Sequence, residues 1–115
     1  MPYPRKTTGL DVRVVLTTES TLEDAERLGR TLVEEKLVAC ATFVPSAHSI
    51  YQWEGEVETS TETMMLLKTV LDQLPALQAR LMELHSYQTP EFLVLPVEAG
   101  SQPYLDWIAS SLRQV

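Results

Sequence analysis

The sequence predicts an α+β fold of the ferredoxin-like type, a βαββαβ sandwich followed by one more C-terminal helix. Three observations carry this reading. Four strand-like apolar runs and two stretches with helical spacing alternate in the order β-α-β-β-α-β, the split βαβ plan. The second and third runs meet at a turn signal, Glu54-Gly55, inside a long β2–β3 hairpin that exceeds what one small sheet needs. Pro45 and Pro96 fall in strands two and four, and these are the edge strands if two right-handed crossovers give the spatial order 4-1-3-2.

Taken in order, residues 1–10 carry two prolines and no periodicity, so a flexible N-terminal tail is expected there and a single domain over 11–115. Val12 to Thr18 reads as the first strand. Ser20 or Thr21 can cap a helix, with Glu23 and Asp24 where a capping-box carboxylate belongs, and Leu22, Ala25, Leu28 and Leu32 follow at helical spacing. Glu23–Arg27 and Glu26–Arg30 are i,i+4 pairs in the favourable order, and the helix is expected to stop near Lys36. Val38 to Val44 predicts a second strand that breaks at Pro45 and resumes at Ser49 to Trp53. Gly55 supplies the positive φ of a tight hairpin, and the third strand returns from Glu56 through Leu67. Asp72 is expected to cap a second helix with Leu74, Leu77, Leu81 and Leu84 on one face. Phe92 to Val97 is the fourth strand, and Ser101 opens a last helix bearing Tyr104, Trp107, Ile108 and Leu112.

The strands do not alternate apolar and polar. Val14-Val15-Leu16, Met64 to Leu67 and Phe92 to Leu95 are continuous, so both faces of the sheet need cover. One short extra helix is not enough, and other subunits in a closed oligomer are expected to supply the rest, with the hairpin as an arm toward a neighbour.

Composition narrows the function. Nine Lys and Arg against sixteen Asp and Glu give a net charge of −7, which argues against nucleic-acid and membrane-surface roles and leaves cations as partners. The single cysteine, Cys40, excludes an intrachain disulfide and a Cys-rich zinc cluster. The polar start Met1-Pro2-Tyr3-Pro4-Arg5-Lys6 does not read as a signal peptide, so a cytoplasmic location is expected.

No Gly-x-Ser-x-Gly elbow is present, and the turn Thr17-Thr18-Glu19-Ser20 has neither the glycines of a phosphate loop nor the arginine of an acylphosphatase. No enzymatic activity and no organic cofactor are expected. Cys40, His48, His85 and Glu91 are possible metal ligands, though none has ligand spacing, and imidazole with thiolate favours copper or zinc. His48 is expected in a loop. Cys40 also fits a buried small hydrophobe, and His85 a helix cap. Glu54, Glu56 and Glu58 read as a solvated hairpin edge, Tyr51 and Trp53 as interface anchors, and Lys68 as a snorkelling lysine.

Several segments together resemble the CutA divalent cation tolerance proteins. They are Leu32 to Cys40, Ser49 to Val57, Leu67-Lys68-Thr69, His85-Ser86-Tyr87-Gln88-Thr89-Pro90-Glu91 and Tyr104 to Trp107, in order across residues 14–107. The resemblance implies a PII-like homotrimer of ferredoxin-like subunits with exchanged hairpins. It also implies tolerance of divalent metal ions, copper especially, and no established catalysis. The metal ligands expected on this basis are His85, Cys40 and Glu91, at or near an intersubunit cleft that could hold Cu(II) or another divalent cation. The alternative is a signalling or scaffold trimer binding a small metabolite or protein partner in that cleft. Ser86 stands where the family's pattern has proline.

Overall fold

A computed structural model describes residues 11–114, so the expected tail, 1–10, lies outside the described residues. The elements are β1 (Val12–Glu19), α1 (Leu22–Glu34), β2 (Cys40–Trp53), β3 (Glu56–Val70), α2 (Leu74–Leu84), β4 (Leu93–Pro96) and α3 (Gln102–Ser110). The sheet runs β2-β3-β1-β4, the expected order, and each neighbouring pair is antiparallel.

Helix α1 starts as the sequence predicts. The Thr21 hydroxyl accepts from the Asp24 N–H at 3.0 Å, and Ala25, Leu28, Gly29 and Leu32 form the buried stripe. Its expected i,i+4 pairs give way to a local one, since Arg27 bonds Asp24 at 2.8 Å within the same turn. The helix ends in a Schellman motif. Leu37 N–H donates to the Leu32 carbonyl and Lys36 N–H to that of Val33, with Lys36 in the left-handed region at φ 61°.

Three further expectations are corrected. Asp72 does not cap α2. It lies in a 3₁₀ turn, Leu71–Gln73, and α2 begins beyond it with Pro75 in its first turn, where a missing N–H costs nothing. Pro45 does not break the second strand either. Val44 pairs with Met64 and Ala47 with Glu62, so Pro45 and Ser46 together face Thr63 in a β-bulge with Ser46 at φ 61°. His48 therefore sits on β2, not in a loop.

The bulge changes which residues share a face. Before it, Cys40, Thr42 and Val44 lie opposite Lys68, Leu66 and Met64; after it, Ser49, Tyr51 and Trp53 lie opposite Ser60, Glu58 and Glu56. One inserted residue thus moves the odd-numbered side chains of β2 onto the face that its even-numbered ones occupied. The arm closes through a two-residue loop with both positions at positive φ, Glu54 at 50° and Gly55 at 83°, as a type I′ turn requires. The arm stretches the molecule, whose radius of gyration is 15.1 Å against about 13 Å for a compact chain of this length.

Helices α1 and α2 cover one sheet face, where Val15, Met65 and Leu67 meet Leu28, Leu32, Leu77 and Leu81. On the other face α3 covers one end only, with its Leu105 and Ile108 and the following Leu112 over Val12, Ala39 and Val70. Beyond it that face is open. Leu16 and Leu66 are half-buried, and Val44, Leu93 and Leu95 are 44%, 55% and 45% exposed.

Gly29 lies against the Phe43 ring and the Ala41 side chain. A Cβ there would stand 2.7 Å from Phe43 Cζ and 3.1 Å from Ala41 Cβ. Alanine in a helix interior normally gains about 0.5–1 kcal/mol over glycine. Here overpacking, about 1–3 kcal/mol, is expected to win, so Gly29→Ala should lower the urea midpoint. The loss should shrink in a Phe43→Leu background, and equal losses in both backgrounds would refute the contact.

Candidate functional site

The polar groups concentrate where β1 ends, α2 ends and the arm leaves the sheet. Glu19, at the end of β1, is 2% exposed. Its carboxylate accepts from Ser20 N–H at 3.3 Å, from Ser86 N–H at 3.2 Å and from the Ser86 hydroxyl. A proline at position 86 would supply neither of the last two donors.

His85 caps α2 through its N–H to the Leu81 carbonyl. A main-chain N–H can only donate, so Nδ1 accepts from Tyr87 N–H at 3.0 Å; a carbonyl can only accept, so Nε2 carries the proton and donates to Thr18 at 2.6 Å. Both ring nitrogens are engaged, and an incoming metal ion would have to displace one of these partners. The ring packs on Tyr87 at 4.8 Å between centroids.

Tyr87 carries the network across the sheet. Its hydroxyl donates to Glu62 Oε2 at 2.8 Å. Burial, then the bond to Glu62, push the phenol well above its ordinary value, so it stays a donor. Burial also pushes the Glu62 carboxyl up, but hydrogen bonds from Ser49, Tyr87, Thr18 and Ser60 outweigh it and hold the group below its usual 4.5. Beside this pair opens a cleft of about 540 Å³. Tyr51, Trp53, Glu58, Glu62, Tyr87 and Glu91 are among the residues that line it.

The expected ligands sit apart. Glu91 lines the cleft and His85 lies behind it. Cys40 is at the far end of the open face, with its sulfur 3.4 Å from Lys68 Nζ and 3.8 Å from the Tyr104 hydroxyl. Cys40 pairs with Lys68 and Lys68 with Val14, four residues or about 13 Å along β1 from Thr18, the His85 partner. Among the described residues no three His, Cys, Asp or Glu side chains are grouped to hold one ion. The Lys68 ammonium also bonds Thr42 Oγ1 at 2.9 Å, so its head is tethered as well as solvated. Sequence reasoning missed Glu19 and Glu62. Their one signal is a charged residue inside an otherwise apolar or hydroxyl-rich strand.

Stability from Glu62 is complete above its unfolded value near 4.5 and is lost as pH falls through the lower folded value. Tyr87→Phe removes one donor to a buried charge and should cost about 1.5–3 kcal/mol at neutral pH. It should also raise the midpoint of acid unfolding followed by circular dichroism. A loss under about 0.5 kcal/mol with an unmoved acid limb would refute the pairing.

The chain matches the family model described as CutA1 divalent ion tolerance protein over residues 13–111. It is 44% identical over 103 residues to a divalent-cation tolerance protein CutA of Pectobacterium atrosepticum, covering 90% of this chain and 94% of that one. The CutA1 structure from Oryza sativa superposes with a TM-score of 0.91 at 36% identity, over 95% of this chain and 100% of that one. A CutA structure from Archaeoglobus fulgidus, described as periplasmic, superposes with a TM-score of 0.85 at 34% identity, over 89% and 99% of the two chains. With a family model spanning nearly all of its strands and helices, and a close relative over the same span, the chain belongs to the CutA1 family of divalent ion tolerance proteins.

Proposed function

We propose that this chain is a non-enzymatic homotrimer that binds divalent metal ions, Cu(II) foremost, and so contributes to divalent-cation tolerance in the cytoplasm. The observation that carries the assembly is the open sheet face, where Val44, Leu93 and Leu95 are about half exposed beside the half-buried Leu16 and Leu66. Two-sided apolar strands make sense when a second copy packs there. Tolerance as the role is supported by the names of the relatives. The acidic charge of −7 favours cations over anions.

The metal ligands proposed are Cys40, His85 and Glu91. Because they are spread along one chain, the reading requires that different subunits supply them to one ion. Cys40 borders the open face and Glu91 lines the cleft, so both lie where a neighbour can reach. His85 joins by exchanging the Tyr87 N–H for the metal at Nδ1. The alternative, a signalling or scaffold trimer, is favoured by the cleft itself, whose 540 Å³ suits a small metabolite.

Native mass spectrometry with one equivalent of Cu(II) per subunit, in competition with glycine, tests the proposal. The expected species is near 39 kDa, three chains of 13.0 kDa, with a fixed copper count. Cys40→Ser, Glu91→Gln and His85→Ala should each lower that count and leave the trimer intact. A trimer that takes no copper would shift the reading to the scaffold role, and a monomer would overturn the assembly.

A further inference from the structure

Helix α3 is held to the rest of the chain by a short apolar stripe and by a clasp just past its end. The helix has nine residues, and its N-terminus carries no side-chain cap. A helix of that length is marginal by itself, so its order comes from what it packs against. Leu105 and Ile108, with Leu112 beyond them, pack on Val12, Ala39 and Val70. The clasp is built on Arg113. Its main-chain N–H donates to the Lys36 carbonyl at 3.0 Å. Its carbonyl accepts from Gln73 Nε2 at 2.6 Å, and its Nε donates to Gln73 Oε1 at 3.2 Å.

A carbonyl can only accept and a guanidinium can only donate, so this pairing admits one orientation of the Gln73 amide. Gln73 is 1% exposed, and among the described residues both polar atoms of its side chain are bonded to Arg113. Lifting Arg113 would leave a buried donor and a buried acceptor unmet at the same moment. The clasp is therefore closed or open as a unit. It ties the two layers together, because Lys36 follows α1 and Gln73 precedes α2, while α3 lies on the opposite sheet face. It sits at the end of the sheet away from the arm and is complete within one chain.

What α3 holds closed is the Cys40 end. Tyr104, in its first turn, places its hydroxyl 3.8 Å from Cys40 Sγ, and Trp107 packs beside Tyr104 at 5.6 Å between ring centroids. Ala39, next to Cys40, is buried in the same cluster as Leu105 and Ile108. We propose that α3 is a lid over the Cys40 end of the sheet, latched by the Gln73–Arg113 clasp, and that it opens as a unit while the strands stay paired. The segment 97–101, which carries no regular structure, is the turning point between β4 and the lid. The motion requires no metal, so it stands or falls separately from copper binding.

The chain has one cysteine, so thiol labelling reads this end of the sheet alone. Labelling of the full chain with N-ethylmaleimide, followed by mass spectrometry, tests the lid together with amide hydrogen exchange. The wild-type thiol should react roughly 10-fold or more slowly than glutathione at the same pH. Gln73→Leu removes both amide bonds, and Arg113→Pro removes the main-chain N–H and the guanidinium. Each should speed labelling roughly 10-fold or more and speed exchange in α3, with β1 and β3 as protected as before. The double variant should label within about 2-fold of the faster single one, since either substitution opens the same clasp. Arg113 is exposed, so its variant tests the clasp even if Gln73→Leu disturbs the fold. A wild-type thiol as fast as glutathione, labelling that neither substitution changes, exchange that rises equally in β1, or rate gains that multiply in the double variant would overturn the proposal.

Discussion

The arrangement of the site rests on one buried anion. Taking a carboxylate out of water costs several kcal/mol, and Glu19 is compensated only if donors meet it at fixed positions. Those donors come from both sides of the sandwich entrance: Ser20 begins the approach to α1, and Ser86 follows the end of α2. Satisfying Glu19 therefore fixes the 85–87 turn against the end of β1. With that turn fixed, His85 can bond Thr18, Tyr87 can bond His85, and the Tyr87 hydroxyl reaches Glu62 at the root of the arm. The second buried carboxylate is placed by the first.

The fold was legible because it depends on local pattern. Continuous runs such as Val14 to Leu16, the Ala25-Leu28-Leu32 stripe and the Glu54-Gly55 turn each carry a short-range rule, and their order leaves few topologies. The misreadings arose where two local rules competed or a distant partner decided. Pro45 removes a donor, which suggests a break, yet an edge strand absorbs it by bulging. Asp72 is a good cap residue, but Pro75 sets the first turn of α2 three residues on. Arg27 had two acidic neighbours at helical spacing, and Asp24, oriented by the Thr21 cap, holds it.

The site was less legible for the same reason. His85, Cys40 and Glu91 stood out as residue types, but side-chain chemistry alone gives no distance. Glu19 and Glu62 are ordinary in a sequence with sixteen acidic residues, and only burial distinguishes them. Tyr51 and Trp53 were visible as a pair two apart. Which face they occupy depends on one residue inserted upstream, and no window centred on them contains that information.

That inserted residue also constrains how the arm can change over evolution. Beyond Ser46 the two strands are paired through to the Glu54-Gly55 loop. Adding or removing one residue on one strand inverts the allocation of faces for everything between it and the tip. A change that preserves the faces must add or remove two residues on both strands at once. The length of the arm is thus quantised, in steps of about 7 Å. A family that keeps this bulge can lengthen or shorten its reach only by matched dipeptides, so arm length is a slow character.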